Sequence, residues 1–254
     1  MASEERPLAA EPGNSLAPYF KALFEAFGPQ RWWPARTRLE VILGAILTQH
    51  TSWKNAEIAL RRLRKTSLLK WDNLLRCSFE KLRECVRPAG FFQQKARTIR
   101  NFAEWLDRRY AGSLGALFQN PDEAVRAELL SLSGIGPETA DAILLYAGGK
   151  PFFVADGYTR RILARHGLIP RDADYDATQQ FVHQHLAADP ALFKEFHALL
   201  VETGKRFCQA RAAQCAACPL ERFLPPGGVS NEDHREARIP RAAPVAPRAD
   251  RNMV

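Results

Sequence analysis

A chain of 254 residues with 46% hydrophobic content can bury a sizeable core, and no apolar run approaches the 18 residues of a membrane-spanning helix. The net charge is +8; residues 1–14 are net −2 and residues 225–254 net +1, so 15–224 carry +9. A core that basic suits a polyanion partner. Met1–Asn14, lacking the basic start and apolar centre of a signal peptide, reads as a disordered leader on a cytoplasmic protein.

In chain order the apolar spacing gives helix after helix and almost no strand. Ser15 is placed to cap "LAPYFKALFEAF" and Thr37 to cap "RLEVILGAILTQ". Between them Trp32 and Trp33 precede Pro34, which biases Trp33 toward extended backbone. Two adjacent indoles are hard to bury in one core, so at least one is expected to face a cleft. "SWKNAEIALRRLRK" follows, with Trp53 at its start, then "LLKWDNLLRC", "FEKLRECV" after Ser78, and a long helix after Gly90, "FFQQKARTIRNFAEWLDRRY". Cys77 and Cys85 fall in these helices and read as small core residues.

The segment from Leu130 to Ala147 reads as the end of one helix, a break at Ser133-Gly134-Ile135-Gly136, and a second helix led by Pro137. Alternating glycines allow positive φ and close approach. The amides from Ile135 to Thr139 are then free at the positive end of a helix, an arrangement that suits phosphate. An ordinary connection between two helices is the other reading. Beyond the hairpin come a Gly/Pro turn, Asp156, "GYTRRILARHG", "YDATQQFVHQHLA", and, with Asp189 as cap and Pro190 in the first turn, "ALFKEFHALLVETGKRF". The fold class is all-α. "CQARAAQCAAC" then sets Cys208, Cys215 and Cys218 in a C-x6-C-x2-C loop; clustered cysteines in such a chain point to metal or catalysis before a disulfide, and three thiols this close favour a metal. The segment 225–254 is too rich in Pro, Ala and charge to pack, and reads as a disordered tail.

Together these motifs resemble the helix-hairpin-helix, Gly/Pro-Asp DNA glycosylases of the endonuclease III superfamily. "LSGIGPETAD" resembles the hairpin, "GGKPFFVADGYTRR" the turn with its aspartate, "CQARAAQCAACPL" the iron–sulfur loop, and "GAILTQHTS" and "GFFQQKAR" the DNA-facing loops. The resemblance implies two helical lobes, one of residues 49–167 and one joining 15–48 to 168–224, with a cleft between them. It implies a monomer acting on double-stranded DNA with a damaged base, hence nucleoid-associated. Asp156 would stabilise the oxocarbenium charge that builds as an N-glycosidic bond breaks; capping the following helix is its other reading. Gln49 would fill the space left by a flipped base and Phe91 would wedge it from the other side, although Phe91 also reads as a core aromatic. Ser133, Gly134, Ile135, Gly136 and Thr139 would hold the backbone phosphates.

Two positions depart from the family pattern. Where bifunctional members carry a lysine that attacks the sugar, this chain has Glu138, and a carboxylate cannot form a Schiff base. That implies a monofunctional enzyme without lyase activity. Where a fourth cysteine would complete a [4Fe-4S] site, the chain has Leu224. The loop is thus left with three alternatives: a cluster with an outside ligand, zinc with help from a residue such as His234, or no metal. The adjacent Trp32, Trp33 and the nearby Trp53 resemble the 3-methyladenine branch, where a cationic base stacks on indole faces. Glycosylases of oxidised or mismatched bases, and a non-catalytic DNA-binding relative, are the alternative functions.

Overall fold

Short polar side chains start most of the helices. In the computed structural model, which describes residues 16–30, 32–33 and 35–229, the elements are α1 (Ala17–Phe27), α2 (Arg38–Leu47), α3 (Trp53–Lys65), α4 (Trp71–Arg76), α5 (Phe79–Val86) and α6 (Phe92–Tyr110). They continue with α7 (Leu114–Phe118), α8 (Asp122–Leu130), α9 (Pro137–Ala142), α10 (Gly157–Arg165), α11 (Tyr175–His185) and α12 (Pro190–Arg206). Thr37, Ser52, Ser78, Asp156, Asp174 and Asp189 each accept a backbone N–H from the first turn of the helix they precede. Among the described residues there is no strand, only an isolated antiparallel bridge between Cys208 and Ala213, so the all-α expectation holds.

The apolar core is continuous from α1 to α12. At its centre α2 has every residue from Leu39 to Leu47 buried, and packs on α3, α6, α9 and the turn that follows α9. That turn, Ile143–Gly148, is π-helical, a geometry that often marks functional positions. It touches both α2 and α12, and so joins the hairpin to the C-terminal helices. A second tie is polar: the fully buried Asp141 of α9 accepts two hydrogen bonds from Arg126 at 2.7 and 3.1 Å. Tyr175 and Gln179 of α11 donate to its Oδ2 at 2.8 Å each. Four donors satisfy the charge, which is what makes its burial tolerable.

Several expectations change. Leu16, not Ser15, occupies the N-cap of α1 and makes no side-chain cap; Ser15 itself, Pro34, His234, the leader and the tail from 230 onward lie outside the described residues. The apolar spacing gives no sign of α7, whose five residues are shorter than two turns. It shows α8 only at its C-terminal end, because the residue before its first turn, Pro121, provides no side-chain cap. Trp33 has φ +70°, so it is left-handed where an extended backbone was expected. The rings of Trp53 and Tyr146, at 5.6 and 4.8 Å, pack around its indole and hold that conformation.

Candidate active site

The hairpin between α8 and α9 needs one of its glycines for its conformation. Gly134 has φ +90°, and a Cβ there would collide with Thr98 Oγ1 of α6. Gly136 has φ −95° and open space around its Cα, leaving the backbone approachable. The Ile135 amide is not free as expected, because it donates to the Leu132 carbonyl at 3.0 Å to close the turn. Gln49, following α2, donates from its side-chain amide to the Gly134 carbonyl at 3.0 Å and to the Thr139 hydroxyl at 2.7 Å. The Gln49 turn is therefore clasped to the hairpin. Phe91 stands out from the surface at 64% exposure with φ +43°, so it is not a core aromatic. Its ring meets His50 edge-on at 6.3 Å. Ser133, Gly134, Gln49, His50 and Phe91 line one open groove.

Lys95 joins the two loops from below. It is 3% exposed, and its ammonium donates to the Leu47 carbonyl at 2.9 Å and the Ala89 carbonyl at 2.7 Å. One side chain thus closes the end of α2 and the turn before Phe91. Burial lowers its pKa to about 8.

Beside the groove a cavity of about 290 Å3 opens between α2, α9, α10 and α12. Trp32, Trp33, Trp53, Gln49, Thr139, Glu138, Asp156, His197 and Lys205 are in its wall. The three tryptophans and the aspartate, separated by more than a hundred residues in sequence, therefore share one space. Asp156 is the N-cap of α10, accepting the Thr159 amide at Oδ1, 2.8 Å, and it also lines the cavity. Oδ2 lies 3.5 Å from His197 Nε2, and His197 Nδ1 lies 2.6 Å from the Tyr146 hydroxyl. Burial pushes the Asp156 carboxyl up, but the His197 contact and the Thr159 amide outweigh it and hold the group below the usual carboxylate range.

Glu138, the second residue of α9, is the other acid in the wall. Its surface is open to solvent at the mouth while the cavity walls crowd its carboxyl. That desolvation, with the negative charge of Asp156, raises it above the ordinary value against the opposing pull of His197, His50 and Arg160. Among the described residues its carboxyl takes no hydrogen-bond or ion-pair partner. The Lys205 ammonium sits 4.8 Å above the Trp32 ring, and Trp32 also meets His197 edge-on at 6.4 Å. Trp33 lies so close to α2 that a Cβ on Gly44 would be 3.3 Å from its indole. His197, Tyr146, Lys205 and His50 were missed in the sequence. Only the adjacency of His50 to Gln49 carried a usable signal, since the others lie on helices whose apolar spacing hides them.

The cysteine loop does not fit the four-thiolate group that the family resemblance suggests. Among the described residues no group of three His, Cys, Asp or Glu side chains is arranged to hold a metal ion, although Cys208, Cys215 and Cys218 line one small cavity. Leu224 and Val229 bring hydrocarbon to the small cavity beside Cys208, Cys215 and Cys218. The loop is held by protein groups instead. The Arg165 guanidinium donates to Cys208 Sγ at 3.2 Å, to the Gln209 carbonyl at 2.8 Å and to the Ala210 carbonyl at 3.2 Å. Arg161 donates to the Cys208 carbonyl at 2.8 Å. At the far end Phe223 stacks on Tyr19 at 4.5 Å.

A glycine hairpin clasped by a glutamine, with a buried-edge aspartate at the head of the next helix but one, defines a helix-hairpin-helix protein of base excision. Residues 43–187 match the family described as HhH-GPD superfamily base excision DNA repair protein, and the chain belongs to it. It is 43% identical over 80% of its length, and 93% of the other, to the Methanocaldococcus jannaschii protein named "Putative DNA repair glycosylase MJ1434". It is 26% identical to endonuclease III of Sulfolobus acidocaldarius, across 74% of this chain and 82% of that one. Among solved structures it is similar to the H. pylori 3-methyladenine DNA glycosylase MagIII bound to 1,N6-ethenoadenine, with TM-score 0.65, 29% identity, and 74% and 96% of the two chains covered. A non-covalent endonuclease III–DNA complex shares the fold at TM-score 0.72 and 20% identity, over 86% and 97%. The protein is a DNA base-excision glycosylase of this superfamily, and none of its described helices is long and apolar enough to cross a membrane.

Proposed function

We propose that this glycosylase is monofunctional, flips alkylated purines of the 3-methyladenine type out of double-stranded DNA, and hydrolyses their N-glycosidic bond. The observation that carries the reading is the pairing of Asp156 with Glu138 in a cavity walled by three indoles. A carboxylate at 138 offers no amine to attack the sugar, so the product is an abasic site in an intact strand. The Asp156 carboxylate and aromatic faces suit a cationic base, and an indole face attracts such a cation by roughly 0.5–2 kcal/mol depending on desolvation. Lys205 already covers Trp32, which leaves Trp53, at the start of α3, as the platform. Asp156 then stabilises the positive sugar as the bond lengthens, and water completes the hydrolysis.

On this reading Gln49 and Phe91 fill the duplex around the extruded nucleotide, and the amides of Gly136 and Thr139 face the phosphates. The two lobes, 49–167 and 15–48 with 168–224, are the bodies that clamp the DNA as a monomer. The test is incubation of the purified protein with duplexes that each carry one lesion. Release of 3-methyladenine or 7-methylguanine, with strand breaks only after alkali, is expected. Efficient removal of thymine glycol with no methylated purine released, or a protein–DNA adduct trapped by borohydride, contradicts it.

A further inference from the structure

We propose that Glu138 is the proton donor to the departing base, and that it extends this enzyme from cationic alkylpurines to neutral purine lesions. The inference rests on the glycosylase reading above and names a further substrate class for the same cavity. Asp156 and Glu138 line one space but are held differently. Asp156 is fixed by the Thr159 amide and by His197, whereas Glu138 is unengaged among the described residues and sits at the mouth, where a flipped base enters. Their environments also push the two carboxyls in opposite directions, Asp156 down and Glu138 up. Two acids separated in this way are suited to different tasks, one staying ionised and one carrying a proton.

A cationic base needs no donor, because its positive charge already makes it a good leaving group. A neutral purine needs one. In the proposed step the Glu138 carboxyl proton passes to a ring nitrogen of the base while the bond to C1′ breaks and its electron pair goes to the base. The oxocarbenium ion forms opposite the Asp156 carboxylate. Water then adds to C1′ and returns a proton to the Glu138 carboxylate, which restores the acid. The charged and titratable groups around Glu138 are Asp156 and Arg160 at the head of α10, His197 and Lys205 on α12, His50 beside Gln49, and Tyr175 on α11.

The experiment compares the wild type and Glu138→Gln in single turnovers on two duplexes, one with 7-methylguanine and one with 1,N6-ethenoadenine, from pH 5 to pH 8. For the wild type the ethenoadenine rate is expected to fall as pH rises through the Glu138 titration, while the 7-methylguanine rate does not follow it. In Glu138→Gln the ratio of neutral to cationic rates is expected to drop about 100-fold or more, in line with the loss of a general acid. An unchanged ratio, or a wild type that releases 7-methylguanine but no ethenoadenine, overturns the inference. A wild type that releases neither removes the alkylpurine reading itself. Matching thermal unfolding of the two proteins excludes a folding defect.

Discussion

His197 Nε2 stands 3.5 Å from Asp156 Oδ2, with the far side of its ring set by the Tyr146 hydroxyl at 2.6 Å. His197 is 5% exposed and its ring packs edge-on to Phe153 and Trp32, so it cannot turn away. It opposes the burial that would otherwise raise the Asp156 carboxyl. His197→Ala is therefore expected to move the acid limb of the rate–pH profile to higher pH, because activity needs the ionised acid and its carboxyl rises when that partner is lost. Tyr146→Phe is expected to move it in the same direction by less. An acid limb that stays in place in His197→Ala disproves the link.

Asp156→Asn removes the charge while keeping an oxygen to cap α10. Base release is expected to fall by about 10²–10³-fold, the cost of losing one preorganised electrostatic group. Affinity for lesion duplex is expected to be equal or higher, since an acid leaves a basic protein. Gel-shift titration beside single-turnover kinetics separates the two effects, and comparable turnover removes Asp156 from the chemistry.

The buried Lys95 carries a stability prediction with a definite sign. Its pKa is about 8 in the folded chain, lowered by burial from 10.5, so between those values the unfolded chain holds more protons. The contribution of Lys95 to stability therefore rises with pH from about 8 to about 10.5. The difference between wild type and Lys95→Met in urea unfolding is expected to shift in the wild type's favour across that window. The substitution also leaves two carbonyls without a donor, which is expected to loosen the Gln49 and Phe91 loops together and weaken DNA binding.

In the cysteine loop the guanidinium of Arg165 is the fastener. Arg165→Leu is expected to lower the thermal midpoint, whereas prolonged treatment with a chelator is not. Reconstitution with iron and sulfide under anaerobic conditions is expected to give no absorbance near 400 nm. A stable brown product would show that Cys208, Cys215 and Cys218 recruit an outside ligand.

Much of this was legible in local chemistry. Thr37, Ser52, Ser78 and Asp189 are cap residues whose partners lie three positions on, so their helices could be read from short stretches. Asp156 and the hairpin were legible for the same reason, and the all-α class followed from spacing alone. What was hidden depends on packing between distant segments. His197 looks like one more residue on an apolar helix, and only the packing of α10 and the π-helical turn against α12 brings it to Asp156. The left-handed backbone of Trp33 runs against its local preference and is held by Trp53 and Tyr146. The cysteine spacing pointed to a metal and Leu224 already marked the missing ligand; what the motif did not show is Arg165, which reaches Cys208 from α10.

The close approach of Gly44 to the Trp33 indole gives the cavity an adjustable wall. A methyl group at 44 meets the ring at 3.3 Å, tighter than an ordinary carbon contact, so the indole must yield by a few tenths of an ångström. Trp33 is backed by Tyr146, and Tyr146 holds His197. A change in the middle of α2 is therefore expected to alter the room in the cavity and how firmly His197 is held. For anyone reshaping which lesions this protein accepts, residue 44 is a tuning screw set away from every group that does the chemistry.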